Sequence, residues 1–149
     1  MGRRARKRRS GQGPLGRIVT KDGPVWLVLT AVGTGAGLGA MLRWALSYWL
    51  NPLGTWMPWG TLAANTLGGF LIGLALAWTS AVPDLPPAVR LFLITGFLGG
   101  LTTFSTFSAE AFSLMSAGRF VWAGVHVVTH VSLSLTGTWL GWRLMKAWW

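Results

Sequence analysis

The chain has 149 residues, 52% of them hydrophobic and only 11% charged, with thirteen basic against three acidic side chains. The absence of cysteine excludes a disulfide framework and a thiolate metal site, and two histidines with three acids leave a hydrolytic or metal-dependent enzyme little to work with. With a mean hydropathy of +0.49, the composition is that of a small helical membrane protein.

Eight basic residues lie in the first 21 positions: Arg3, Arg4, Arg6, Lys7, Arg8, Arg9, Arg17 and Lys21. Glycine, serine and proline among them leave nothing to bury, so residues 1–23 are expected to form a disordered basic tail. A charge run of this kind suits nucleic acid or a membrane surface. Beside membrane spans, anionic lipid is the expected partner rather than nucleic acid, at about 1 kcal/mol per basic residue. The first apolar stretch is of spanning length and lacks a convincing cleavage site, unlike a signal peptide.

Residues 24–149 read as one domain. Gly23–Leu42, Trp44–Pro83, Leu91–Ala109 and Phe120–Trp142 carry no charge. A span needs about 20 apolar residues, so four transmembrane helices are predicted near 25–50, 58–82, 88–117 and 120–143. Tryptophans at the span ends mark the headgroup level: Trp49, Trp56, Trp59, Trp78, Trp122, Trp139 and Trp142. Both termini then share a face with the 83–90 loop, and that face holds eleven basic residues against two on the other, Arg43 and Arg119. The positive-inside rule therefore predicts cytoplasmic termini in the cytoplasmic membrane, and the tail decides the topology.

The first span carries Gly33, Gly35, Gly37 and Gly39, the second Gly69 and Gly73, and the third Gly96 and Gly100, spacings that let helix backbones approach closely in a bilayer. Asn65 in the second span is a costly amide in hydrocarbon unless bonded. It either holds helices together or offers a donor to a permeating anion.

The third span contains Gly-Gly-Leu-Thr-Thr-Phe-Ser-Thr-Phe-Ser at 99–108. Paired glycines and clustered hydroxyls predict a helix broken near Gly99–Thr103, and irregular backbone at membrane depth is tolerated where protein or a polar cavity covers it. Phe104, Phe107 and Ser108 share a face. Aromatic ring edges are partly positive, so rings interleaved with hydroxyls can attract a small anion without a fixed cation to trap it. Glu110, the one acid well inside a span, is a functional candidate that pairs with Arg43 or caps the broken helix. In the fourth span His126, His130, Ser134 and Thr138 form a polar stripe. The histidine pair has metal-ligating spacing, but no third ligand is evident in the sequence.

Three segments carry a resemblance: Gly-Ala-Met-Leu-Arg-Trp at 39–44, Gly-Thr-Leu-Ala-Ala-Asn at 60–65, and Gly-Phe-Leu-Gly-Gly-Leu-Thr-Thr-Phe-Ser-Thr-Phe-Ser-Ala-Glu at 96–110. From about Val32 to Trp142 the chain resembles the CrcB/Fluc fluoride channel family. The resemblance implies an antiparallel, dual-topology dimer with two fluoride pores between subunits, exporting fluoride passively and so protecting the cell. Phe104 and Phe107 would present ring edges to fluoride and Asn65 a pore amide. Ser108, His126, His130 and Ser134 would form a polar track, and Arg43 and Glu110 would sit near the pore entrance. Backbone carbonyls of Gly99 and Gly100 would hold a structural sodium ion on the dimer axis.

Two departures stand out. His126 and His130 occupy track positions where the family usually has tyrosine and serine. The basic bias is strong for a dual-topology chain, which leaves a homodimer and a heterodimer with an oppositely oriented paralogue both open. Two other functions fit the residues less well. A small multidrug-resistance-like transporter requires a membrane-embedded carboxylate, typically in its first helix, and this first helix has none. A non-transporting assembly protein leaves the polar and aromatic residues on three helices without a role.

Overall fold

The four uncharged runs form four helical segments long and apolar enough to cross a membrane: Val25–Leu53, Trp59–Ala81, Pro87–Ser116 and Phe120–Trp148. The computed structural model describes residues 19–53 and 56–148. The expected basic tail lies outside the described residues as far as residue 18. Its last part, Val19–Thr20, pairs antiparallel with Gly23–Pro24 across a tight turn.

Helix α1 is Val25–Leu50, closed by a 3₁₀ turn at Asn51–Leu53. The Asn51 Oδ1 accepts from the Gly60 N–H at 2.8 Å and so ties that turn to the start of α2, Trp59–Ala81. The third span is two helices. Its first part, α3 (residues 87–101), starts with Pro87–Arg90, widens into a π-helical stretch at Leu91–Leu98 and ends with one turn at Gly99–Leu101. Helix α4 is Phe104–Ser116 and α5 is Phe120–Trp148.

The break falls later than the glycine pair suggests. Gly99 and Gly100 stay helical, and the chain turns extended at Thr102 (φ −79°, ψ 154°) and Thr103 (φ −147°, ψ 114°). The physical reason is that glycine only lowers helix stability, whereas threonine supplies competing bonds. The Thr102 hydroxyl donates back to the Leu98 carbonyl (2.9 Å), and the Thr103 hydroxyl accepts from the Thr106 N–H (3.1 Å) as the N-cap of α4.

Helices associate in two close pairs. Gly35, Gly39, Gly96 and Gly100 bring α1 against α3, and Gly69, Gly73, Gly137 and Gly141 bring α2 against α5. Helix α2 is the central one: half of its most apolar window is buried, against 11% for α1. The core lies where the pairs meet, around Ala64, Leu98 and Leu101. Helices α4 and α5 form a hairpin through Gly118, whose φ of +70° favours glycine. Its N–H donates to the Met115 carbonyl (2.9 Å) while the Arg119 N–H donates to that of Leu114 (2.9 Å).

Only one face of the glycine-rich α1 is used for this packing. A Cβ at Gly39 would lie against the Phe97 carbonyl and 2.7 Å from the Leu101 nitrogen, whereas one at Gly37 would meet nothing within 4 Å among the described residues. Gly39→Ala is therefore expected to destabilise the protein by about 1–3 kcal/mol. Gly37→Ala should be neutral or stabilising by up to about 1 kcal/mol. Thermal unfolding in detergent, followed by tryptophan fluorescence, checks the pair.

Candidate functional site

The break in the third span is held by Asn65. Its Oδ1 accepts from the Thr103 N–H at 2.8 Å and its Nδ2 donates to the Thr103 carbonyl at 3.1 Å. The amide thus replaces the helical partners that an extended residue loses. One N–H of Asn65 remains beyond this exchange, since a primary amide has two. On the other side Arg43 Nε donates to the Gly100 carbonyl at 3.0 Å. Two side chains from α1 and α2 therefore fix the broken backbone.

A groove of about 520 Å³ opens along the break, with Asn65, Thr103, Phe104, Phe107, His130 and Ser134 on its walls. Phe104 is 80% exposed and stands at its outer edge, 5.6 Å from Phe107 between ring centroids. Phe107 lies further in, stacked on the His126 imidazole at 5.3 Å and 15° and tilted against that of His130 at 5.1 Å. A second hollow, about 470 Å³, has Asn51, Trp56, Thr106 and Glu110 on its walls. Phe107 borders the groove, and His126, stacked on it, approaches the Glu110 carboxylate of the second hollow.

Because the α4–α5 turn is tight, Glu110 faces His126. His126 Nε2 is 3.7 Å from Glu110 Oε2, and the Thr61 hydroxyl donates to Glu110 Oε1 at 2.6 Å. His126 and His130 are 0% and 3% exposed, with ring centroids 4.2 Å apart. The expected pairing of Glu110 with Arg43 does not form: each is taken by a nearer polar group, Arg43 by the carbonyl freed at the break and Glu110 by the Thr61 hydroxyl.

Most of the sequence-expected residues converge here. Asn65, Phe104, Phe107, His130 and Ser134 share the groove, and His126 lies directly behind Phe107. Ser108 is half-buried on α4 but does not border the groove, and Thr138 turns its hydroxyl to the Ser134 carbonyl of its own helix (2.9 Å). Sequence reasoning missed Thr103, the residue on which the break is clamped, and the role of Thr61 in orienting Glu110. The signal for the first was available as a threonine just before the apolar Phe104 that opens the next helix, a residue type favoured at an N-cap.

The two carbonyls expected to hold sodium differ. The Gly100 carbonyl already accepts from a guanidinium, which does not fit a second cation. The Thr103 N–H that would bond the Gly99 carbonyl in a continuous helix goes to Asn65 instead, and Gly99 is exposed. Hard cations take such oxygen ligands, so Gly99 fits the group and Gly100 does not.

Residues 30–142 match the family model described as CrcB-like protein, Camphor Resistance (CrcB). The chain is 55% identical over 118 residues to the "Fluoride-specific ion channel FluC" of Aromatoleum aromaticum, covering 79% of this chain and 90% of that one. It is 56% identical over 117 residues to the protein of the same name in Chromohalobacter salexigens, covering 78% and 89%. For that of Pseudomonas putida the figure is 57% over 110 residues, covering 74% and 87%.

Removing the Asn65 amide would leave both backbone groups of Thr103 unpaired in a low-dielectric interior. Asn65→Ala is expected to destabilise the fold by about 2–4 kcal/mol, clearly more than Thr102→Val, which removes only a bond back to its own helix. Denaturant unfolding measures the difference, and amide hydrogen exchange at Thr103 should accelerate in the Asn65 variant alone.

Proposed function

The chain belongs to the CrcB-like family, and on that premise we propose that it is a fluoride-selective channel through which fluoride leaves the cell passively across the cytoplasmic membrane. The observation that carries this reading is the groove at the break, where Phe104 and Phe107 stand with the Asn65 amide and the polar groups of α5. Ring edges are weakly positive and amide and hydroxyl donors are neutral. Together they can replace part of an anion's hydration shell without holding it. Conduction needs that balance, binding good enough for entry and weak enough for exit. Arg43, fixed at Gly100, adds a positive charge beside the break and favours anions over cations.

The groove is open in a single chain, and Phe104 is exposed at its edge. That supports a reading in which a second, oppositely oriented chain supplies the missing wall. Sodium, if bound by the Gly99 carbonyl where two such chains meet, would neutralise carbonyl dipoles that the break leaves without helical donors. A multidrug transporter is not favoured: α1 has no acid, and Glu110, the carboxylate within a span, is bonded to Thr61. Arg43 also lies within α1 rather than in a loop, which leaves Arg119 as the basic residue at the end opposite the termini. This sharpens the bias toward cytoplasmic termini and favours an oppositely oriented paralogue as partner over a homodimer.

Reconstitution from detergent admits both orientations of the chain, so liposomes containing the purified chain and loaded with both halides are expected to release fluoride and retain chloride, as read by ion-selective electrodes. Phe104→Ile and Phe107→Ile should each slow release by roughly two- to tenfold, the equivalent of losing one ring contact. Unchanged rates in both variants would remove the rings from the pathway. For orientation, a membrane-impermeant label is expected to reach the termini from the cytoplasmic side only when the chain is expressed alone. Equal labelling from both faces would mean a dual-topology homodimer.

A further inference from the structure

We propose that Glu110, His126 and His130 form a three-ligand site for a late first-row divalent cation, with zinc as the reference ion. The sequence shows only the histidine pair; the fold supplies the third ligand by setting α4 antiparallel to α5. One ligand atom from each residue lies within 4.8 Å of the other two, and His126 Nε2 is 3.7 Å from Glu110 Oε2. Tetrahedral zinc with bonds of about 2.0–2.1 Å sets its ligand atoms about 3.3 Å apart. At most about 1.5 Å separates the present spacing from that geometry, a gap within the reach of side-chain rotation.

The groups are prepared as ligands. Among the described residues, both ring nitrogens of His126, the Nε2 of His130 and the Oε2 of Glu110 are buried without a hydrogen-bond partner. Imidazole nitrogens orphaned in this way are rare in a packed interior, because each lost bond costs about 1–3 kcal/mol. Outer bonds orient two of the three ligands, as is usual around bound metals. The His130 Nδ1–H donates to the His126 carbonyl (3.0 Å), which fixes the tautomer with a free lone pair on Nε2. The Thr61 hydroxyl takes Glu110 Oε1 (2.6 Å) and leaves Oε2 to the ion. Two imidazoles and a carboxylate suit zinc or its neighbours rather than magnesium or calcium.

An ion there would pin α4 to α5 and place a double positive charge behind the ring of Phe107. Such a charge would hold an anion instead of passing it, so zinc is expected to inhibit conduction. That consequence rests on the channel reading, but the site itself does not.

Binding is therefore the test. His126 and His130 are the only histidines and there is no cysteine, so zinc–imidazole scattering from the untagged full chain reports this site alone. Titration calorimetry with zinc chloride in detergent should give one ion per chain, and X-ray absorption should show two nitrogen ligands from imidazole and oxygen. His130→Gln and Glu110→Gln, both close in size to the native residues, should each weaken binding by at least about 100-fold. Thr61→Val should weaken it by roughly 10–100-fold through the lost outer bond. The proposal is overturned by zinc affinity that is no higher in the native chain than in His126→Gln/His130→Gln. It is equally overturned by an absorption spectrum without imidazole.

Discussion

Between α2 and the break in the third span, the Asn65 side chain exchanges two hydrogen bonds with the backbone of Thr103. Extended backbone in a membrane interior is tolerated only when its polar groups are paired, since each unpaired one costs several kcal/mol in hydrocarbon. Around this break five backbone groups find partners. The Thr102 N–H donates to the Leu98 carbonyl (3.0 Å), the Thr103 groups go to Asn65, the Thr106 N–H to the Thr103 hydroxyl, and the Gly100 carbonyl to Arg43. The start of α4 is thereby fixed to α1 and α2, and with it the positions of Phe104 and Phe107.

The glycines make that fixation possible from further away. Arg43 reaches Gly100 because α1 lies backbone to backbone on α3, and Asn65 reaches Thr103 because Gly68 gives the Thr102 methyl room on α2. The α2–α5 pair does the same for the opposite wall, setting Ser134 beside Gly69. Small residues are thus more than a means of association here. They bring long polar side chains within bonding distance of a backbone that would otherwise lie out of reach.

Much of this was legible in the residues. Uncharged runs located all four spans to within a few residues at most ends, because the length of a span is imposed by the bilayer. The motif at 96–110 identified the broken helix. The exact break did not follow, since glycine pairs and threonine pairs both weaken a helix and only the neighbouring helices decide which of them yields. Gly99–Gly100 was kept helical by the close contact of Gly100 with Ala36, and the extended residues fell at Thr102 and Thr103. The α5 helix ran on to Trp148, beyond the expected end near 143, as hydropathy marks the apolar limit of a span and not the end of its hydrogen bonding. The partner of Glu110 was invisible for a different reason. His126 is sixteen positions away, and only the turn at Gly118 makes those positions neighbours.

The charges then acquire a common logic with the neutral groove. Arg43 bonds to the backbone at the break and Glu110 to the Thr61 hydroxyl beside His126, so the two opposite charges are held by separate partners instead of neutralising each other. At an effective dielectric near 20, a unit charge acts on another about 8 Å away with roughly 2 kcal/mol. That is enough to bias an anion's position and too little to immobilise it. For the channel proposed above, a cation at one side draws fluoride to the rings, and a carboxylate at the other opposes a long stay. An ion pair between Arg43 and Glu110 would have cancelled both effects. The fold prevents that pairing by giving each of them a closer partner.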